Sequence, residues 1–102
     1  MPPAAPAPTA TIAVIGAGTM GHGIAQVAAH SGFKVTLVDQ DPAALERGRA
    51  KIDENLAGGI QRGKLTEADR EKVRANLATG RDPAAAARDA DLVIEAIVEK
   101  LE

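Results

Sequence analysis

No cysteine, tryptophan or tyrosine occurs in the 102 residues, and Phe33 is the single phenylalanine. Without cysteine the chain forms no disulfide and no thiolate metal site, which fits a reducing compartment. Only two histidines are present, His22 and His30. Few side chains therefore titrate near neutral pH, and the inventory is that of a binding module more than of a complete acid–base catalyst. A strong charge of either sign is also missing. The formal net charge of −2 gives no electrostatic reason to expect nucleic acid or an anionic membrane as partner. No apolar run approaches the roughly 20 residues that span a bilayer. The opening Met1-Pro2-Pro3-Ala4-Ala5-Pro6-Ala7-Pro8 lacks the positive charge and apolar core of a signal peptide and the arginines of a transit peptide. Its composition predicts a disordered tail over residues 1–10, and the cytoplasm is the default location. One domain over residues 11–102 is the natural reading of so short a chain.

What is present is a glycine turn in an informative setting. Thr11-Ile12-Ala13-Val14-Ile15 reads as a strand and leads into Gly16-Ala17-Gly18-Thr19-Met20-Gly21. A helical pattern follows, then a second apolar run, Val35-Thr36-Leu37-Val38, which ends in Asp39. Strand, glycine turn, helix, strand and acid, with Asp39 18 residues after the third glycine, is the order of a dinucleotide-binding βαβ unit. Gly16 lets the chain turn sharply out of the strand, Gly18 leaves room for a pyrophosphate, and Gly21 lets helix and strand approach. The first amides of the helix lack intrahelical acceptors and, with the helix dipole, attract phosphate. Asp39 is placed to accept hydrogen bonds from both hydroxyls of an adenine ribose. Its charge repels a 2′-phosphate, and no Arg or Lys stands among Gln40, Asp41 and Pro42 to receive one. The cofactor expected is therefore NAD and not NADP.

Further along, Met20, Ile24, Val27 and Ala28 recur at helical spacing, the small residues Gly21, Gly23, Ala25 and Ala29 allow close packing on a sheet, and Gly32 sits where a left-handed terminator belongs. His30 reads as a partly exposed residue at that helix end, and His22 as an exposed one in its first turn, with a place near a cofactor phosphate as the alternative. Asp41-Pro42 starts a second helix with Leu45, Ile52, Leu56 and Ile60 on one face. Gly58-Gly59 is expected to interrupt it and Arg62-Gly63 to close it. Thr66 and Asp69 approximate a capping box for a third helix carrying Ala68, Val73 and Leu77. A short strand is expected near Leu77 to Thr79, and Pro83 opens an alanine-rich turn. Asp91 to Ala96 then reads as a buried parallel strand. Two helices between the second and third strands imply a hairpin projecting from the sheet, as a plain insertion or as the wall of a substrate cleft. Glu95 stands either near a ligand at the strand's carboxyl end or as an acid bonded to turn amides. The fold class expected is α/β, a Rossmann-type parallel sheet with helices on both faces and a helical hairpin inserted between the second and third strands. Because such folds continue into a second half, the chain reads as a truncated fragment.

The run Ile12 to Gln26, with its Gly16-Ala17-Gly18-Thr19-Met20-Gly21 turn, resembles the N-terminal signature of the L-3-hydroxyacyl-CoA dehydrogenases. Leu37-Val38-Asp39-Gln40, the long hairpin and Asp91 to Glu99 are similar to that family as well, so the resemblance covers about Thr11 to Glu102. It implies NAD-dependent interconversion of L-3-hydroxyacyl-CoA and 3-oxoacyl-CoA, with a catalytic His–Glu pair beyond these residues and a helical domain that makes a homodimer. It places Glu99 near the nicotinamide, with Ala96 and Ile97 lining the same groove, beside the cofactor residues Gly16, Ala17, Gly18, Thr19, Met20, Gly21, Asp39 and Gln40. It assigns CoA contacts to Asn55 and Arg62, with Lys64 nearby. A related sugar-acid dehydrogenase and a non-catalytic NAD-binding module stand as the alternatives.

Overall fold

The computed structural model describes residues 10–96. In chain order these form β1 (Thr11–Ile15), α1 (Thr19–His30), β2 (Lys34–Val38), α2 (Pro42–Gln61), α3 (Glu67–Asn76), β3 (Leu77–Gly80), α4 (Pro83–Asp89) and β4 (Leu92–Glu95). The four strands are parallel and lie in the order β3-β2-β1-β4. From β1 the chain winds outward through β2 and β3, then returns to the other side of β1. That reversal is a topological switch point, and open α/β sheets bind ligands in the crevice at the carboxyl ends of the strands there. Here those ends are Ile15, Val38 and Glu95, which lie level across the sheet.

Alternation along the strands separates two layers. Ile12, Val14, Val35 and Leu37 pack with Ala25 and Ala29 of α1, Leu45, Ile52 and Leu56 of α2, and Val73 of α3. Ala13, Ile15 and Val38 face the opposite side, against Ala86 and Ala90 of the α4 segment. Leu37, Val14, Ile52, Leu56 and Val73 are fully buried, and burial of each such side chain contributes about 1.5–3 kcal/mol. Helices thus cover both faces, three on one and one on the other. Ala10 accepts the amide of Lys34 at 3.1 Å, and residues 1–9, the bulk of the expected tail, lie outside the described residues.

Local signals set most helix ends. Asp41 accepts the amide of Ala43 at 3.0 Å and caps α2, with Pro42 in the first turn. Thr66 and Asp69 form a complete capping box on α3, the Asp69 carboxylate taking the place of the usual Glu. Asp82 caps α4 through the amides of Ala84 and Ala85. Gly32 adopts a φ of 105° after α1.

Four expectations are corrected. The buried face of α1 is Gly21, His22, Ala25 and Ala29, while Met20 and Val27 are 57% and 67% exposed. Gly21, Ala25 and Ala29 pack closely as expected, and that approach rotates Met20 and Val27 outward while Ile24 and Ala28 still pack against the core. Gly58-Gly59 does not interrupt α2, which runs on to Gln61. A Cβ on Gly59 would stand 2.5 Å from Leu65 Cδ1, so this glycine makes room for the returning chain. The hairpin is no free arm, because α2 buries Leu45, Gly48, Ile52, Leu56 and Gly59 along its whole length. Side-chain bonds also hold α3 to the end of α1, from Asn76 Nδ2 to the Ala29 carbonyl at 3.0 Å and between His30 Nε2 and Asp69 Oδ1 at 3.0 Å. Finally, β4 is parallel but not buried. It pairs with β1 alone among the described residues, and Leu92 and Val93 are 53% and 39% exposed.

Candidate functional site

At the carboxyl end of β1 the chain turns within three residues. Gly16 donates its amide to the Val38 carbonyl at 2.6 Å and has a φ of 108°, a conformation that disfavours any Cβ. Ala17 is buried. Gly21 then brings α1 down onto the turn so closely that a Cβ there would lie 1.6 Å from the Gly16 carbonyl oxygen. Gly18 differs from both, since a Cβ built on it meets nothing within 4 Å. The space over Gly18 is open, at the point where the α1 amides emerge. No side chain caps α1, whereas Asp41, Thr66 and Asp82 cap the other three described helices. The exposed donors and the positive end of the α1 dipole meet a clear approach, which is the arrangement a phosphate fills.

Asp39 stands beside this turn. One carboxylate oxygen accepts the Ala17 amide at 3.0 Å and the other accepts the Asp41 amide at 2.9 Å. Each oxygen keeps a further lone pair for a hydroxyl donor. A cavity of about 280 Å³ opens here, lined by Ile15, Gly16, Asp39, Gln40 and Pro83. Among the described residues its lining holds no lysine or arginine, so it offers an acceptor to a ribose hydroxyl and no described cation to a 2′-phosphate. Thr19 and Met20 complete the first turn of α1, with Met20 exposed. Ala96 is buried on the other side of the turn, its amide 2.8 Å from the Ile15 carbonyl. The fold thus gathers Gly16 to Gly21, Asp39, Gln40 and Ala96 at one edge. Ile97 and Glu99, expected in the same groove, lie outside the described residues. Glu95 is exposed and makes no hydrogen bond to turn amides among the described residues.

His22, expected on the surface, is 9% exposed. Its Nδ1 lies 2.8 Å from the Gly18 carbonyl. The partner is an acceptor, which places the proton on Nδ1. The ring thereby braces the glycine turn from below. His30 is the partly exposed residue expected, but with a partner on α3. Its hydrogen bond, together with those from the backbone and hydroxyl of Thr66, lowers the Asp69 carboxyl from 3.8 to about 2.

The two residues expected to contact CoA meet in a separate cavity of about 440 Å³ between α1 and the hairpin. Asn55, Arg62 and Lys64 line it together with Gln26, and Asn55 Nδ2 donates to Gln26 Oε1 at 3.2 Å. Between this cavity and the glycine turn lie Arg47 and Lys51 of α2, which line a third cavity with Gly18, Thr19 and His22. Gln26, Arg47 and Lys51 escaped the sequence reading. The four-residue spacing of Gly18, His22 and Gln26 on one helix and of Arg47, Lys51 and Asn55 on the other was the available signal.

Among the described residues no group of three His, Asp or Glu side chains is placed to hold a metal ion. The edge has what a dinucleotide requires: uncapped helix amides, an open glycine and an acid at the end of the second strand. Comparison with known proteins gives the same result. The family model described as "3-hydroxyacyl-CoA dehydrogenase, NAD binding domain" matches residues 11–102. A probable 3-hydroxybutyryl-CoA dehydrogenase of Deinococcus radiodurans is 48% identical over 84% of this chain and 30% of its own length. The 3-hydroxyadipyl-CoA dehydrogenase of Escherichia coli K12 is 48% identical over 90% of this chain and 19% of its own length. The crystal structure of (S)-3-hydroxybutyryl-CoA dehydrogenase PaaH1 from Ralstonia eutropha superposes with a TM-score of 0.83 at 38% identity, covering 91% of this chain and 32% of that one. The chain therefore spans about 30% or less of the length of these curated relatives.

Proposed function

The chain belongs to the 3-hydroxyacyl-CoA dehydrogenase family through its NAD-binding domain, and from that premise we propose that it serves hydride transfer between NAD(H) and an L-3-hydroxyacyl-CoA/3-oxoacyl-CoA pair. The observation that carries the reading is the uncapped first turn of α1 next to Asp39, which suits the pyrophosphate and the adenine ribose of NAD at once. NAD held at this edge would supply the hydride exchange at C3 of the acyl group, a reaction that also needs a base for the proton on the C3 oxygen.

This chain's own residues account for the binding side of that reaction. The α1 amides receive the pyrophosphate, the Gly16 and Gly18 backbone admits it, and Asp39 orients the ribose. Hydrogen bonds to a charged group such as the Asp39 carboxylate contribute about 1.5–3 kcal/mol each. Neither histidine is placed as the base: His22 is turned into the Gly18 carbonyl, and His30 lies eight residues further along α1, about 12 Å away, bonded to Asp69. Asn55 and Arg62 are read as CoA contacts, since the cavity they share with Lys64 presents cations and an amide to one space. A homodimer and a cytoplasmic setting follow the family resemblance and the cysteine-free composition; among the described residues no helix is long and apolar enough to cross a membrane.

Titration of CoA into the isotope-labelled chain tests the substrate reading. Amide shifts at Gln26, Asn55 and Arg62, weakened in Arg62→Gln, are the expected result. Absence of any shift around that cavity contradicts it.

A further inference from the structure

Gly18 is exposed, and a Cβ built on it meets nothing within 4 Å. Side-chain packing therefore does not hold its peptide, and glycine is the residue freest to leave the conformation it has. Two donors hold it instead, both from one residue. The Gly18 carbonyl accepts the His22 amide at 3.0 Å and the His22 ring Nδ1 at 2.8 Å. The first is the ordinary opening bond of a helix. The second comes from the side chain and takes the oxygen's remaining lone pair.

The other three helices begin differently. The carbonyls of Asp41, Thr66 and Asp82 each accept a backbone amide alone among the described residues, and their side chains bond the first-turn amides. In α1 the side-chain bond goes to the carbonyl, and the amides are left open. A buried histidine needs a partner wherever it lies; this partner matters through the peptide it belongs to. That peptide is planar and trans, so its carbonyl and the Thr19 N–H point in opposite directions. With the carbonyl drawn into α1, the Thr19 amide is aimed out of the helix, toward the open space over Gly18.

The ring itself is well anchored. His22 is 9% exposed, and it lines one cavity with Gly48 and Lys51 of α2. Gly48 allows α2 to come this close to the turn, because a Cβ there would stand 2.8 Å from the Ala17 carbonyl oxygen.

We infer that His22 is a positioning residue for cofactor binding: its Nδ1–H locks the Gly18–Thr19 peptide and so pre-orients the Thr19 amide. The inference rests on the binding of NAD at this edge. Fixing a donor before the ligand arrives lowers the ordering cost of binding. Only ligands that reach the α1 amides gain from it, so adenine and ribose at Asp39 do not.

The test compares His22→Ala, His22→Asn and His22→Gln with the wild-type chain, by titration with NADH and with adenosine. His22→Ala is expected to lose about tenfold in NADH affinity and to keep adenosine affinity within twofold. Asn carries its amide nitrogen near the place of Nδ1 and recovers most of the loss. Gln carries it near the place of Nε2 and does not. This Asn–Gln comparison opens no large cavity at position 22, so it stands even where His22→Ala folds poorly. Ring-nitrogen spectra of the wild-type chain are expected to show a proton on Nδ1. Unchanged NADH affinity in His22→Ala overturns the inference, as do equal losses for NADH and adenosine, equal recovery by Asn and Gln, or a ring protonated on Nε2 alone. A wild-type chain that binds no NADH removes the cofactor reading itself, an outcome distinct from tight binding that ignores residue 22.

Discussion

Asp39, at the end of the second strand, accepts the amide of Ala17, in the middle of the glycine turn, at 3.0 Å. The residue expected to read the ribose thus also holds the turn proposed to receive the pyrophosphate, and its second oxygen binds the Asp41 amide as α2 begins. One carboxylate couples three segments before any ligand arrives. Asp39→Asn keeps the shape but offers a single acceptor oxygen, so one of the two amides loses its partner. Affinity for NADH is expected to fall about tenfold or more, from loss of charge-assisted bonds worth about 1.5–3 kcal/mol. Calorimetric titration measures it, and unchanged affinity contradicts the coupling.

Gly18 and Gly21 separate binding from folding. A side chain at Gly18 points into open space, while one at Gly21 collides with the Gly16 carbonyl. Gly18→Val is expected to stay folded, at a capping cost of about 1 kcal/mol, and to lose NADH binding. Gly21→Ala forces α1 off the sheet and lowers the melting temperature by more than Gly18→Val does. Thermal melts and NADH fluorescence on both variants give the comparison. The opposite order of melting temperatures contradicts the packing described.

The parts of this site that were legible in the sequence are those fixed by local chemistry. Gly16 to Gly21, Asp39, the Asp41-Pro42 start and the Thr66–Asp69 box each carry their signal within a few residues. The parts that were not legible depend on what packs against what. His22 is polar and lies in a glycine-flanked turn, yet the Gly18 carbonyl gives it a buried partner. Met20 and Val27 are apolar, yet the approach of Gly21 to Gly16 turns them outward. Gly58-Gly59 has the composition of a helix break, but Leu65 needs the space. Leu92 and Val93 read as core, while β4 forms the edge of the described sheet.

The clasp between α1 and α3 responds to acid. Asp69 titrates at about 2, below its ordinary 3.8, because His30 and the Thr66 amide bond its charged form. A carboxyl lowered on folding adds stability that is fully present above the unfolded value and is lost as pH falls through the folded one. Melting temperature is therefore expected to drop between about pH 3.8 and pH 2 through this group, and the drop is smaller in Asp69→Asn. An identical acid response in both proteins contradicts the assignment.

Placement of the histidines predicts that these 102 residues bind NADH without turning over acetoacetyl-CoA. General acid–base catalysis contributes about 10²- to 10⁴-fold, and neither His22 nor His30 is available for it. NADH absorbance in the presence of acetoacetyl-CoA is the assay. Turnover that disappears in His22→Gln or His30→Gln contradicts the placement.

Paired titrations of the chain with NADH and NADPH test the central claim most directly. The Asp39 carboxylate lies in a cavity that no Lys or Arg lines among the described residues, and it is proposed to accept ribose hydroxyls and repel a 2′-phosphate. NADH is expected to bind at least tenfold more tightly than NADPH, with Asp39→Asn narrowing the gap. Equal or tighter binding of NADPH contradicts the account.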